Sequence, residues 1–546
     1  MGTANILACE CLEDRFSLAT LLVNTVADNT LQDGKVSLRE AILAANTNSI
    51  VGDAIAGDVG HDIIEFAPVM LGNTIVLSLG QFIVTEDLTI NVTAPSQLTI
   101  DANGLSRHFR FDDNTSTIIG LSLLNGWSDA NGGSILSKSS DLTVERVQFD
   151  SCFASGNGGA VCVINSNETA IRDSAFIGNR ATRGGGVFTK FTQAVLIEGV
   201  QFDSNVAKQD GGGFYVVDSQ LNVTNTMLVH NLALRGGGGL TLRSPSYLID
   251  SSFDQNTTQR IGGGLAAIHS NTEIQNSSFL DNYTGLVLGA VAGDGGALHA
   301  QGNSNVQIRE STIRGNVSGR NGGGIYVLNG SAVDIRNSFV RDNVAQGSNL
   351  GNGGGGVFVN NATLRLFDSI LDSNRAIGDA GSGGGVFSYR SYVGDESSTV
   401  IANQARLFGG GFQLLSSTAR LESTLVEYNL VGSSSHLGHG GGIYFANSDA
   451  TLSTLGVEGN RSYGQGGGLF VSQSSSVVFG GNRLMANTAQ LEGGGAFVAG
   501  SLVFSWADIR FNVSAISGGA IYREPGAHVD LGTAYLSDNL PDDTNF

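Results

Sequence analysis

Proline is almost missing from this chain, with 5 residues in 546, and cysteine and tryptophan are as rare, at 4 and 2. Scarce proline excludes collagen, which needs it in abundance beside Gly at every third position. Four cysteines cannot form the disulfide framework of a small secreted scaffold. Charge is also sparse, at 14% of residues, and one-sided: 29 basic against 49 acidic residues, a net −20. A chain this acidic does not coat nucleic acid or anionic lipid through a general field, so no nucleic-acid partner is expected. No run of 18 apolar residues exists, so no transmembrane helix is expected. Met1 to Ala8 is too short to hold the basic and apolar regions of a signal peptide. Ile6-Leu7-Ala8-Cys9 has the form of a lipoprotein cleavage site without the apolar segment that precedes one.

What the chain has instead is glycine, 78 residues, within a sequence that is 41% apolar. The glycines fall in phase. The last Gly of each Gly-rich step lies at 133, 159, 186, 213, 239, 264, 296, 324, 356, 385, 411, 442, 468, 495 and 519, a mean period of about 28 residues. Each step opens an apolar segment, as in Gly184-Gly185-Gly186-Val187-Phe188 and Gly322-Gly323-Gly324-Ile325-Tyr326. A second signature, an apolar residue followed three positions later by Asn, runs alongside: Phe176 to Asn179, Phe202 to Asn205, Phe253 to Asn256 and Phe279 to Asn282 are examples. Asn231, Asn316, Asn343, Asn374, Asn403, Asn429, Asn460, Asn487, Asn512 and Asn539 fill the series, and Cys152 takes the Asn place after Phe149.

Between the landmarks, short segments such as Ala194-Val195-Leu196-Ile197-Glu198 alternate in polarity, which means strand. Two or three short strands per 28 residues bury a core only by stacking repeat on repeat. The expected fold is all-β: a right-handed parallel β-helix of about 15–16 coils, on the order of 75 Å long at about 4.8 Å per coil. The Asn residues are expected to form a side-chain ladder from coil to coil and to supply left-handed backbone at the turn, and the paired Gly to allow close coil approach. Five ladder positions, Asn256, Asn282, Asn316, Asn460 and Asn512, also begin glycosylation sequons; buried in a ladder, they are poor acceptors. Cys152 and Cys162 lie in one repeat, either as two buried thiols or as a disulfide between neighbouring strands.

The segment from the Gly step to the next Asn keeps 17 to 20 residues, whereas the turn from Asn to Gly step is usually 7 or 8. It lengthens at 282–296, 343–356, 374–385 and 429–442, placing every insertion on one flank. Asp294, Asp379, His436 and His439 lie on this flank as candidate binding residues, the two His as a weak metal pair. The same turn carries Arg180, Arg183, Lys208, Arg235, Arg260, Arg320, Arg375, Arg406 and Arg461. These either grip an acidic glycan or neutralise stacked carboxylates such as Asp150, Asp203 and Asp254. For chemistry, Asp210, Asp294, Asp379, Asp281, Asp342 and Asp538 are the carboxylate candidates, and none sits in a local cluster with a basic partner. No catalytic or cofactor-binding residue, no resident metal site and no cofactor are expected; adventitious Ca²⁺ on surface Asp is the exception.

Residues 20–112 differ from the repeats. Ser37 is a helix N-cap with Glu40 completing a capping box, and Leu38, Ile42 and Ala45 share one face of the helix that follows. A helix-bearing cap is expected where a β-helix exposes an open sheet end. Through Val36-Ser37-Leu38-Arg39-Glu40-Ala41-Ile42, Ala45-Asn46, Asp62-Ile63-Ile64-Glu65-Phe66 and Asp101-Ala102-Asn103-Gly104, residues 23–112 resemble the CSLREA domain of bacterial proteins, with Val36 in place of its first Cys. Residues 113–539, with Gly-Gly-Ala-Ile and Phe-x-x-Asn motifs, resemble the repeats of chlamydial polymorphic outer membrane proteins. Cys9 to Leu18 resembles the leader segment of planctomycete exported proteins. The resemblances imply a secreted or cell-surface protein, extracellular or outer-membrane associated, with a structural or adhesive role. Its expected partner is a glycan or a neighbouring or host cell surface. A polysaccharide-binding or polysaccharide-degrading β-helix is the alternative. The expected divisions are 1–19 (leader-like extension), 20–112 (cap), 113–540 (repeats) and 541–546 (tail). Either that tail covers the last coil or another chain does, by end-to-end assembly.

Overall fold

A computed structural model describes residues 18–93, 98–285 and 293–546. Cys9, the leader-like segment up to residue 17 and most of the inserted turn at 282–296 lie outside the described residues. The chain is a parallel β-helix whose coils repeat four strands. In one coil these are Val187–Lys190, Ala194–Glu198, Gln201–Asp203 and Val206–Asp210. Each pairs in parallel with its equivalent one coil on, at Phe214–Val217, Gln220–Thr224, Met227–Val229 and Leu232–Arg235. The result is a first face of 17 strands, a bent broad face of 35, and a narrow third face of 15.

Residues 20–112 are built into the same sheets. Thr20–Val23 pairs with Asp62–Phe66 and so with Leu88–Asn91, and Phe82–Val84 pairs with Phe109–Asp112. These early rungs bring the first face to 17 strands. Helix α1 (Leu38–Thr47) lies over them. Its capping box is formed: the Ser37 hydroxyl accepts from the Glu40 amide at 3.1 Å, and the Ser37 amide donates to Glu40 Oε2 at 2.8 Å. Leu38, Ile42 and Ala45 are buried against the core, so the apolar strip of the helix closes the N-terminal rungs.

The Asn ladder runs unbroken from Asn179 to Asn539. At each step Nδ2 donates to Oδ1 of the next Asn at 2.9–3.0 Å, as from Asn179 to Asn205 and from Asn282 to Asn316. The same Oδ1 accepts the backbone amide of the preceding Asn, and Nδ2 also donates to a carbonyl of the preceding coil, as from Asn179 to Phe149 O. All 14 side chains are buried, the five sequon residues included. Cys152 begins the column, its amide donating to Asn179 Oδ1 at 3.0 Å. Next to the ladder, Phe149, Phe176 and Phe202 stack at 4.7 and 4.9 Å between ring centroids. Full burial of each such ring contributes about 2–3 kcal/mol.

Two expectations need correction. The left-handed residue at this corner is the one before each ladder Asn, for example Ser204 (φ 58°), His230 (φ 56°) and Asp281 (φ 50°). The ladder Asn themselves keep ordinary backbone angles, because a side chain reaching along the rod axis needs an extended backbone beneath it. Cys152 and Cys162 are free buried thiols. Cys152 packs in the interior whereas Cys162 belongs to a cluster on the outside of the first face, so no disulfide can join them.

The Gly step does what its spacing predicts. Gly184 takes φ +62°, and a Cβ on Gly185 would stand 2.3 Å from Gly212 O of the next coil. At the two remaining corners the structure adds Ser ladders. Ser219, Ser244 and Ser270 each donate a backbone amide to the hydroxyl of Ser244, Ser270 and Ser304 at 3.0–3.2 Å. Ser277, Ser311 and Ser338 do the same toward Ser311, Ser338 and Ser369 at 3.1–3.3 Å. Residues 540–545 lie across the last coil. Leu540 O accepts from Ser514, Asp543 O from Ala520 and Ile521, and Asp543 Oδ1 from Asn539 Nδ2 at 2.9 Å. This tail pairs with the terminal rungs of the first and third faces.

Candidate binding groove

The inserted turn at 343–356 forms one wall of a groove whose floor is an outward column on the first face. On the first face, the outward position beside each Gly step forms a column: Leu136, Cys162, Phe188, Tyr215, Leu240, Ala266, His299, Tyr326, Phe358, Phe387, Gln413, Tyr444, Phe470, Phe497 and Tyr522. Alternation in a half-buried strand puts polar residues outward, yet this outward column is largely apolar. Its rings stack along the rod, with Tyr326 and Phe358 at 5.2 Å and Phe470 and Phe497 at 4.9 Å. The turn from Asn to Gly step folds over one side of the column, so most of these rings are buried although they face away from the core.

Four arginines of the basic line in that turn, Arg183, Arg235, Arg320 and Arg406, find carboxylates, and these are not the ones expected. Asp210 is buried between Arg235 at 2.6 Å and Arg183 at 3.4 Å. Asp294, 3% exposed, accepts from Arg320 Nε at 2.9 Å and from the Asn321 amide at 3.2 Å. Asp379 pairs with Arg406 at 2.7 Å. The three flank carboxylates therefore do have basic partners, supplied by neighbouring coils 25 to 27 residues away, which no local window reveals. These hydrogen bonds hold the Arg235 and Arg320 guanidinia above their ordinary range. Asp150, Asp203 and Asp254 have no arginine partner among the described residues. Asp203 meets His230 at 3.5 Å, and burial, with Asp281 beside it, raises the Asp254 carboxyl.

The four candidate flank residues are not brought together. Asp294 and Asp379 are engaged as above, on different coils. His436 Nδ1 bonds the Ser435 hydroxyl at 2.9 Å on the exposed tip of its turn. His439 turns the other way, into the aromatic column, 5.5 Å from Phe470, with Nδ1 accepting the Gln465 amide at 3.2 Å. Burial lowers its imidazole. The two do not form a pair for one metal ion, and no group of three or more ligating side chains occurs among the described residues.

Where a long turn meets the aromatic column the groove widens. A cavity of about 550 Å³ is lined by Tyr326, Phe358, Phe387, Tyr389, Asn360 and Leu415 on the first face, and by Arg320, Asn321 and Leu350–Asn352 on the turn side. The turn is pinned: Asn352 Nδ2 donates to Asn321 Oδ1 at 3.0 Å, and the Gly353 amide joins it at 3.1 Å. Leu350, 80% exposed, stands at the rim. A second cavity of about 460 Å³ lies farther along the same column, at Tyr444, Phe470 and Phe497.

On the broad face a smaller cavity of about 190 Å³ opens at Gly394, the one gap in an outward column that runs Asp334, Arg365, Gly394, Arg420. Glu396 and Glu422, register partners on adjacent coils, also line it. Beside Gly394 the chain places Asp395 inward, in line with Leu366 and Leu421. Neither of its carboxylate oxygens has a hydrogen-bond partner, and burial pushes it up to about 7.

No family model matches the chain, and no curated protein matches it. Among solved structures, the Vag8–C1 inhibitor complex aligns over 94% of this chain and 100% of that one, at 11% identity and a TM-score of 0.36. The periplasmic alginate epimerase AlgG aligns over 86% of this chain and 80% of its own, at 9% identity and a TM-score of 0.18; a point mutant of AlgG gives 0.20. Similarity this low carries no argument about what the chain does.

Proposed function

We propose that this protein is a secreted or cell-surface β-helix rod with a structural and adhesive role, binding its partner along the groove beside the Gly steps. The observation that carries the reading is the engagement of Asp210, Asp294 and Asp379 by arginines. The acids on the variable flank are used to hold turns against the aromatic column, which leaves a shaped groove without a free acid–base pair. The groove runs beside a continuous stack of coils and widens beside the inserted turn at 343–356, as a surface for an extended ligand would. We also assign residues 20–112 to a CSLREA-type cap and the repeats to the polymorphic outer membrane protein type, on the motifs and the capping box. Among the described residues no helix is long and apolar enough to cross a membrane.

The test is to incubate the purified full chain with bacterial and plant polysaccharides and with cell surfaces, measuring retention and release of reducing ends or unsaturated products in parallel. Retention without product is expected. Product formation that tracks the protein would overturn the non-enzymatic reading. One observation favours a hydrolytic alternative: Glu396 and Glu422 are register partners on adjacent coils and share the cavity at Gly394, with Arg420 at 3.3 Å from Glu422, a pair of carboxylates of the kind glycosidases use. Glu396→Gln and Glu422→Gln would each abolish turnover on that reading.

A further inference from the structure

We infer that the cavity walled by the turn 346–353 is a binding site for a neutral oligosaccharide segment. The inference rests on the adhesive reading above and gives it a place and a ligand class. Charge comes first. The cation in the lining, Arg320, is already matched by buried Asp294, and among the described residues no other charged side chain lines the cavity. A uronate or sulfate would have to compete with that carboxylate, and an ammonium would find no free anion. Burial pushes the Tyr326 hydroxyl up to about 12, so it is neutral throughout the physiological range.

Hydrogen bonding comes second. The lining offers an amide and two phenols, at Asn360, Tyr326 and Tyr389, which are groups that both donate and accept, and Asn321, whose Oδ1 is taken by Asn352 and Gly353, adds a donor. Sugar hydroxyls have the same dual character. The strands beneath, Ile325–Leu328, Val357–Asn360 and Val386–Tyr389, pair with each other on both sides. Their backbone is thus spent, and a peptide laid across them finds no sheet edge to extend. Apolar contact comes third: Leu350, Leu415 and Tyr389 border the opening and can meet the C–H faces of a sugar ring. The wall is pre-organised, because Asn352 is tied to Asn321 and the Asn349 amide donates to Asn352 Oδ1 at 3.0 Å. Little ordering is left to pay on binding.

The experiment is calorimetric titration of the full chain with oligosaccharides of neutral hexoses and N-acetylhexosamines, with uronate-bearing oligosaccharides, and with a random peptide pool. Asn360→Ala and Tyr389→Ala are run beside wild type, and Tyr247→Ala, an exposed tyrosine on the broad face away from the groove, is the control. Melting curves and near-ultraviolet circular dichroism exclude misfolding. A neutral oligosaccharide should bind, with affinity unchanged between low and high salt, since no ion pair forms. Each of the two cavity variants should weaken it about tenfold or more, and Tyr247→Ala should not. Binding confined to uronates and lost in salt, preference for peptide, no saccharide binding, or equal affinity of the Asn360→Ala and Tyr389→Ala variants would each overturn the inference. Equal affinity with retained binding to whole polysaccharide would leave the adhesive reading intact and move the site elsewhere on the rod. Loss of all retention on polysaccharides and cells would remove both.

Discussion

Asn316 and Arg320 are four residues apart and obey different rules. Every polar atom of the Asn316 side chain is matched to a copy of itself or to main chain one coil away, and the pattern repeats from Asn179 to Asn539. Arg320 also reaches to the neighbouring coil, but its partner Asp294 has no counterpart in most others: Arg406 finds an exposed Asp379, and Arg183 and Arg235 share Asp210. The ladder corner is the same problem solved fourteen times. The turn that follows is solved differently in each coil, and there the cavities open. Repetition marks what the rod needs in order to stand; irregularity marks where it can acquire a ligand.

The contrast can be broken by mutation, the largest effect being at the most repetitive positions. Gly185→Ala places a Cβ against the backbone of two neighbouring residues, 2.3 Å from Gly212 O and 2.7 Å from Val206 N, and should cost about 4 kcal/mol, read as a drop in the urea midpoint or failure to fold. Asn316→Ala leaves the backbone amide of Asn282 and one of its two Nδ2 hydrogens without an acceptor inside the rod, while the other hydrogen keeps Phe253 O. About 3 kcal/mol of local stability should be lost, with hydrogen-exchange protection falling in the coils at 282, 316 and 343 first.

Asp395→Leu tests the converse, an irregularity inside the regular part. Burial pushes this carboxyl up to about 7. Between its ordinary pKa near 4 and pH 7, the unfolded chain releases a proton that the folded chain keeps, so stability is full below pH 4 and is lost as pH rises to 7. The leucine variant should be more stable than wild type by on the order of 3 kcal/mol at pH 8, and the gap should close at pH 4; parallel melting curves at both pH values would refute this. Asp210→Ala removes the buried partner of two half-exposed arginines and should cost about 1–2 kcal/mol, seen as loosening of the turns at 183 and 235. Arg406→Ala breaks an exposed pair and should change the melting curve by less than about 0.5 kcal/mol.

The ladder and the Gly steps were readable because each has one residue type at one phase. The Ser ladders were present in the same way, at 219, 244, 270 and 304, but serine is common enough in this chain to hide its own period. The outward aromatic column was concealed for another reason. In Phe214-Tyr215-Val216 or Ile325-Tyr326-Val327 both faces of the strand are apolar, so alternation cannot say that the middle residue points away from the core. The Arg–Asp pairs escaped because pairing across coils is a matter of about 25 residues in sequence and one strand spacing in space. The groove could thus be inferred only as a flank of long turns, without the floor that makes it a site.

The ladder has one more property, which concerns direction. Each asparagine amide hands its hydrogen to the oxygen of the next, always toward the C-terminal end, so fourteen amide dipoles point the same way and polarise one another. Such a column has a positive end and a negative end, as a helix does. Its positive end lies at Asn539, whose free hydrogen falls on the Asp543 carboxylate. The tail therefore supplies a counter-charge as well as a lid: an added strand at this end would have to displace an anion from the positive terminus of a wire of aligned dipoles. The rod is polar in the vectorial sense, and the two ends of the column cannot be exchanged.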